Sequence, residues 1–314
     1  MVEILTSSKN MSREDWLEWR KKGIGGSDVS IICGINKYKS ALELWMEKTG
    51  KKEQEEAGES AYWGNIMEPI IREEFRKRSG LKVDTINSIL RHKDFTFMLA
   101  NVDGVVTDVD NTKCIFEAKT ASAYKKEQWE NNIPEEYMLQ VQHYMAVAGY
   151  KKTYIAALIG GNSFVYRCIE RDDELIDMII TLEKQFWNCV INDTPPSIDG
   201  SEACAKLVSK LYPIADPNKT INLSNEAVIL INQYNEAKKQ EEVYSTLKNE
   251  AVNRLKDMLG NNEIGLTQDN IITWKNIVTE RIDSKRLKID LPDIYKTYLN
   301  LSSSRRFSIK LKES

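Results

Sequence analysis

Between Ser12 and Gly50 the apolar positions fall into three short helical runs separated by glycine and serine. Ser12, followed by Asp15 just ahead of Trp16, Leu17 and Trp19, reads as a helix start with capping chemistry, and Gly23, Gly25 and Gly26 break that helix. Ser27 and Asp28 cap a second short helix through Val29, Ile31 and Ile32, and Ser40 opens a third that runs to Gly50. Lys51–Glu59 is a polar loop. The spacing of Met67, Ile70, Ile71 and Phe75 predicts a helix over Gly64–Ser79, ended by Gly80.

From Lys82 to Lys119 the pattern turns to period two and β-branched residues, which predicts a meander of strands at Ile86–Leu90, Phe95–Leu99, Gly104–Val109 and Cys114–Lys119. A helix over Glu135–Ala148, strands at Thr153–Ile159 and Ser163–Cys168, and a helix over Asp172–Ile191 stopped by Pro195 and Pro196 follow. Mixed strands flanked by helices make a core of α/β or α+β class. Tyr212–Thr220, with Pro213 and Pro217, marks a boundary that divides the chain into 1–215 and 216–314. Beyond it, Leu230, Ala237, Tyr244, Ala251 and Met258 recur every seven residues, with Tyr234, Leu247 and Leu255 between them. One long helix over Glu226–Leu259 follows, suited to a hairpin or coiled-coil packing. A strand at Asn270–Thr279, a short helix around Leu291–Leu299 and a last strand at Arg306–Leu311 complete a small α/β piece.

Composition narrows the function classes. The 314 residues are 41% apolar and 29% charged, no apolar run reaches membrane-spanning length, and Met1–Asn10 lacks a secretory apolar stretch, so a cytoplasmic protein with no membrane partner is expected. Five widely spaced cysteines with no C-x-x-C pair argue for reduced thiols rather than zinc, iron–sulfur or disulfide sites. The net charge of −3 excludes a chain that coats nucleic acid through overall basicity. Any nucleic-acid contact is therefore local, and Asn270–Ser314 carries ten Lys/Arg against five Asp/Glu.

The candidate chemistry lies in the strands. Asp103 sits in the turn Asn101-Val102-Asp103-Gly104, and strand alternation makes Glu117 and Lys119 project together while Phe116 and Ala118 point the other way. If Asp103 ends its strand beside Glu117, two carboxylates converge with a lysine next to them, an oxygen donor set suited to Mg²⁺ or Mn²⁺. Glu68 shares a helix face with Ile71 and Phe75, where a carboxylate is costly unless paired or bound to metal; an i,i+4 pair with Arg72 is the competing reading. His92 and His143, the two histidines, give little material for a His-based site, and His143 reads as structural.

Six segments occur in one order: Trp16-Leu17-Glu18-Trp19-Arg20, Gly23-Ile24-Gly25-Gly26-Ser27-Asp28, Gly64-Asn65-Ile66-Met67-Glu68-Pro69, Val102-Asp103-Gly104, Glu117-Ala118-Lys119 and Gln140-Val141-Gln142-His143-Tyr144. As an ordered set, over roughly residues 12 to 190, they resemble the YqaJ-type viral recombinase family, relatives of the phage lambda exonuclease among the PD-(D/E)XK nucleases. The run Ser304–Lys310 looks like the tail of some longer family members. The resemblance implies a restriction-endonuclease-like core with a mixed central sheet, followed by a helical extension. It further implies a hydrolase with two metal ions about 4 Å apart, held by Asp103, Glu117, Glu68 and the Ala118 carbonyl. Lys119 would position the water, with Gln140 orienting the water or Lys119 and Tyr137 on the same helix face. Arg20 and Ser27 fall where the family binds a terminal 5′-phosphate, which suits a guanidinium fork and a helix N-terminus; a surface ion pair and an ordinary N-cap are the bland alternatives. The implied activity is 5′-to-3′ digestion of linear double-stranded DNA, leaving 3′ single strands for a phage annealing protein, by a ring-shaped homotrimer. A structure-specific endonuclease and a non-cutting module that recruits an annealing protein are the alternatives.

Overall fold

Local capping decides where the first helices begin. After β1 (Glu3–Ser7), α1 (Arg13–Lys21) starts where the Ser12 hydroxyl accepts from the Asp15 amide at 3.0 Å. A two-residue strand, β2 (Ile24–Gly25), leads into α2 (Gly26–Ile32), and here the expected cap is corrected. Ser27 lies inside the first turn, and the Asp28 carboxylate reaches back to accept from the Gly25 amide at 3.0 Å. Ser40 caps α3 (Ala41–Lys48) through the Glu43 amide. The next helix, α4 (Glu59–Ser79), begins five residues before the expected Gly64 and ends at Gly80, whose φ of 72° is left-handed.

The computed structural model describes residues 2–9, 11–54, 58–217, 219–300 and 305–310. The chain divides into two units, Met1–Leu211 and Tyr212–Ser314. In the first, β3 (Lys82–Asp84), β4 (Ser88–Arg91), β5 (Met98–Ala100), β6 (Gly104–Thr107) and β7 (Lys113–Ala121) do not form the single meander read from the sequence. β4 and β5 join β1 and β2 in a four-stranded sheet of order β1-β4-β5-β2, whereas β3, β6 and β7 belong to another. Alternation along a strand tells which face is apolar and not which neighbour it pairs with. β5 pairs in parallel with β2, Ile24 opposite Met98.

α5 (Lys126–Asn131) and α6 (Glu135–Ala148) carry the chain from β7 to β8 (Lys152–Ile159), the crossover that a parallel pair requires. β9 (Ser163–Glu170) completes a mixed sheet of order β3-β6-β7-β8-β9. α7 (Asp173–Ile191), capped by Asp172, and α8 (Glu202–Leu211), which the sequence reading missed, close the unit. One sheet face, through Cys114, Phe116 and Ala156, packs on Ile71 and Phe75 of α4. The other, through Ile115, Ile155 and Ala157, packs on Val141, Tyr144 and Met145 of α6. The architecture is mixed α/β with sheets flanked by helices.

In the second unit α9 (Asn225–Leu259) precedes the hairpin β10 (Ile264–Leu266) and β11 (Ile271–Thr273), then α10 (Ser284–Asp290) and α11 (Pro292–Thr297). The expected strand at Asn270–Thr279 is thus three residues long, and the expected helix near Leu291 is two. Residues 305–310 form no strand; Leu311, like Ser304, lies outside the described residues. Leu259 is the only buried residue described in this unit. Among the described residues no helix is long and apolar enough to cross a membrane.

Glycine positions separate packing from propensity. A Cβ on Gly23 would lie 2.5 Å from the Phe97 carbonyl oxygen, which is backbone and fixed in place, whereas Gly64 inside α4 faces open space. Gly23→Ala is expected to destabilise the fold by roughly 1–3 kcal/mol. Gly64→Ala should stabilise it by roughly 0.5–1 kcal/mol. Urea denaturation of the two variants checks both signs.

Candidate active site

β7 sorts its side chains by parity: Cys114, Phe116 and Ala118 face α4, and Ile115, Glu117 and Lys119 face α6. On that second face Lys119 Nζ donates to Glu117 Oε1 at 2.6 Å and to Gln140 Oε1 at 3.0 Å. Gln140 Nε2 donates to the same Glu117 oxygen at 2.8 Å and contacts the Tyr144 hydroxyl at 3.0 Å. The Tyr137 ring, one turn earlier on α6, lies 4.8 Å from the Lys119 ammonium. Lys119, Gln140, Tyr137 and Glu117 are therefore one contact network.

Asp103 joins it from the β5–β6 link. Its Oδ2 accepts from the Ala118 amide at 2.8 Å, which ties the turn to β7; it is the Ala118 N–H, on the backbone of the strand, that makes this contact. Glu68 comes from α4 and is held by Arg72, so the i,i+4 pair that competes with a ligand role is formed. Burial, and then the Asp103 carboxylate, push the Glu68 carboxyl upward. Burial also raises Asp103 against the pull of Lys119, the Ala118 amide and Arg72. Glu117 is 3% exposed, and burial together with Asp103 pushes its carboxyl up to about 8 in spite of Lys119. Burial works against the Lys119 ammonium, yet Glu117 and Asp103 outweigh it and raise Lys119 as well. Glu117 Oε2 is buried with no hydrogen-bond partner.

A second network lies on α1, α2 and α3. Arg20 donates to the Ser27 hydroxyl at 3.1 Å and to Asp28 Oδ1 at 2.6 Å, with its guanidinium 5.0 Å from the Trp16 ring. The buried Lys48 ammonium donates at 2.7 Å to Asp28 Oδ2 and to the backbone oxygens of Arg20 and Gly23. Burial alone would raise Asp28, but Arg20 and Lys48 hold its carboxyl well below the usual range. The bland ion-pair reading of Arg20 is thus partly realised, though in a cluster of two cations and one carboxylate. Asp28 and Lys48 escaped the sequence reading as a pair, since Lys48 reaches three backbone or side-chain sites on other segments and no local spacing marks it.

Ser27, Lys119, Tyr137 and Gln140 line one cleft of about 720 Å³. The approach of α2 to α6 that creates it depends on Gly26, where a Cβ would lie 2.5 Å from Tyr144 Cε1 and 3.0 Å from Gln140 Cγ. His143 is fully buried with both ring nitrogens facing acceptors, Glu183 at 2.7 Å and the Leu99 carbonyl at 2.9 Å, which fits a charged imidazolium tying α6 to α7 and β5. All five cysteines are free, with Cys168 exposed.

Residues 15–151 match the YqaJ-like viral recombinase domain. Over 314 residues the chain is 44% identical to the protein YqaJ of Bacillus subtilis (strain 168), covering 98% of each. The chain belongs to the YqaJ family. Its fold is also that of an alkaline exonuclease (LHK-Exo) from Laribacter hongkongensis, with a TM-score of 0.50 and 20% identity over 64% of this chain and 100% of that one.

The YqaJ-like domain brings carboxylates from α4, the β5–β6 link and β7 near enough to raise one another's pKa. Among the described residues no three His, Cys, Asp or Glu side chains are gathered into a metal-holding group, because Arg72 draws Glu68 and Lys119 draws Glu117 aside. The donor chemistry nevertheless fits a hard divalent cation: three carboxylates against the two cations Lys119 and Arg72 leave a negative excess, and one Glu117 oxygen lacks a partner.

That excess has a pH signature. Glu117 ionises near 4.5 when unfolded and near 8 in the fold, so the folded chain binds the extra proton between those values and loses stability as pH rises through them. In chelator, Glu117→Gln is expected to melt above the parent at about pH 8, with the gain shrinking toward about pH 5. A melting difference that does not change with pH would show that Glu117 is ionised throughout.

Proposed function

We propose that this chain is a metal-dependent deoxyribonuclease that digests one strand of linear duplex DNA from its 5′ end. The observation that carries the reading is Glu117, a buried carboxylate with an unsatisfied oxygen, beside Asp103 and the Lys119 ammonium in an open cleft. Family membership and a fold shared with an alkaline exonuclease support it.

Asp103, Glu117 and Glu68, with the Ala118 carbonyl, would hold Mg²⁺ or Mn²⁺, two ions in the full site. Bound there, the metal supplies Lewis-acid polarisation of the phosphate and an ionisable water. Lys119 stabilises the charge that develops on the phosphoryl oxygens and helps place the attacking water. Gln140 keeps Lys119 and Glu117 in register by hydrogen-bonding both, and the Tyr137 ring packs against the ammonium. Arg20 and Lys48 outnumber Asp28, and the surplus positive charge beside Ser27 suits a terminal phosphate at the same cleft. The 3′ single strand left behind is the substrate for a phage annealing protein.

The test supplies 5′-phosphorylated duplex, 5′-hydroxyl duplex and closed circles, each with Mg²⁺ or chelator. Mononucleotides should appear from the phosphorylated duplex with metal only. Glu117→Ala should abolish release, Lys119→Ala should slow it by about 10²–10³-fold, and Arg20→Ala should erase the preference for a 5′-phosphate. Circles cut as fast as linear DNA would replace the exonuclease with an endonuclease, and no hydrolysis of any substrate would end the enzymatic reading.

A further inference from the structure

The 35-residue helix α9, about 52 Å long at 1.5 Å per residue, carries an apolar stripe that nothing in its own unit buries. Leu230, Tyr234, Tyr244, Leu255 and Met258 lie on that stripe and are 40–80% exposed. Tyr234 touches Phe307 edge-on and still remains 47% exposed. Ala227, Ala237 and Ala251 fill the intervening steps of three and four, and the two other positions of the repeat are charged, Glu241 and Lys248. The repeat is that of a two-stranded coiled coil, in which such positions meet a partner helix.

We propose that α9 pairs antiparallel with α9 of a second copy of this chain. Charge decides the orientation. Side by side in parallel, Glu241 would face Glu241 and Lys248 would face Lys248, a like-charge contact in both polar layers. Run antiparallel, the Glu241 carboxylate lies within one helical turn of Lys248 of the second copy, and two-fold symmetry repeats the pair. Size agrees with charge. In that register Leu230 meets Leu255, Tyr234 meets Ala251 and Ala227 meets Met258, so two of the three layers set a large side chain against a small one, whereas the parallel arrangement stacks tyrosine on tyrosine and alanine on alanine. The stripe ends at Leu259, which is buried against the Gly265 backbone of the hairpin, so the pairing surface runs from Ala227 to Met258.

Light scattering and sedimentation of the full chain at micromolar concentration test this. A dimer is expected, with Glu241→Lys alone and Lys248→Glu alone each weakening it by about tenfold or more. The double exchange Glu241→Lys with Lys248→Glu restores it. Both substitutions keep strong helix formers on a solvent-facing helix, and circular dichroism verifies that helicity is retained. As a second measurement, Tyr234→Cys combined with Ala251→Cys should give an interchain disulfide absent from the parent and from Tyr234→Cys alone. A monomeric parent, or an assembly whose affinity ignores all three charge variants, overturns the proposal, as does cross-linking by Tyr234→Cys alone.

Discussion

Burying the Glu117 carboxylate is the most costly act in the nuclease-like unit, and much of its architecture answers to that cost. A carboxylate leaves water only if hydrogen bonds and counter-charges replace what water supplied. Lys119 and Gln140 replace part of it at one oxygen, while the other oxygen is left without a partner and Asp103 adds repulsion. The three groups that compensate Glu117 stand on β7 and α6, two elements locked together by the hydrophobic core, so they hold their positions without help from a loop. A site kept partly unsatisfied in this way is a place where stability is given up for affinity toward a cation.

The two polar networks along the cleft have opposite balances. Around Glu117, three carboxylates face two cations; around Asp28, two cations face one carboxylate. A phosphodiester accompanied by divalent metal carries both signs, and the cleft presents each sign where the other partner would lie. Gly26 joins the two halves physically, because any side chain there would push α2 away from Gln140 and Tyr144. The residue that has no chemistry of its own thus sets the distance between the residues that do.

Much of this was legible from the chain alone where the rule involved is local. Once β7 was recognised, period two forced Glu117 and Lys119 onto one face, and Pro134 with Gly149 bracketed α6 so that Gln140 and Tyr137 fell one turn apart. Ser12 and Asp172 announced helix starts through their own side chains. What was not legible depends on tertiary contact. β5 leaves the expected meander because Gly23 lets the chain before β2 lie against Phe97, a fact that no alternation pattern contains. Lys48 looks like an ordinary basic residue in the last turn of α3, and only the fold reveals that it is buried on Asp28. The start of α4 was misplaced since Glu59 to Trp63 has no apolar periodicity to extend the helix upstream of Gly64.

The second unit follows a different logic from the first. Its long helix is supported by propensity and by surface pairs such as Glu250 with Arg254, each worth only a few tenths of a kcal/mol. Such terms sustain a helix of this length without supplying a core, and the described residues of the unit bury Leu259 alone. An apolar stripe that survives on such a helix serves no purpose in holding the unit together, since nothing in the unit packs on it. Its heptad phase, kept through several turns and interrupted by charges of opposite sign, is a constraint that contact with another helix imposes and that solvent does not.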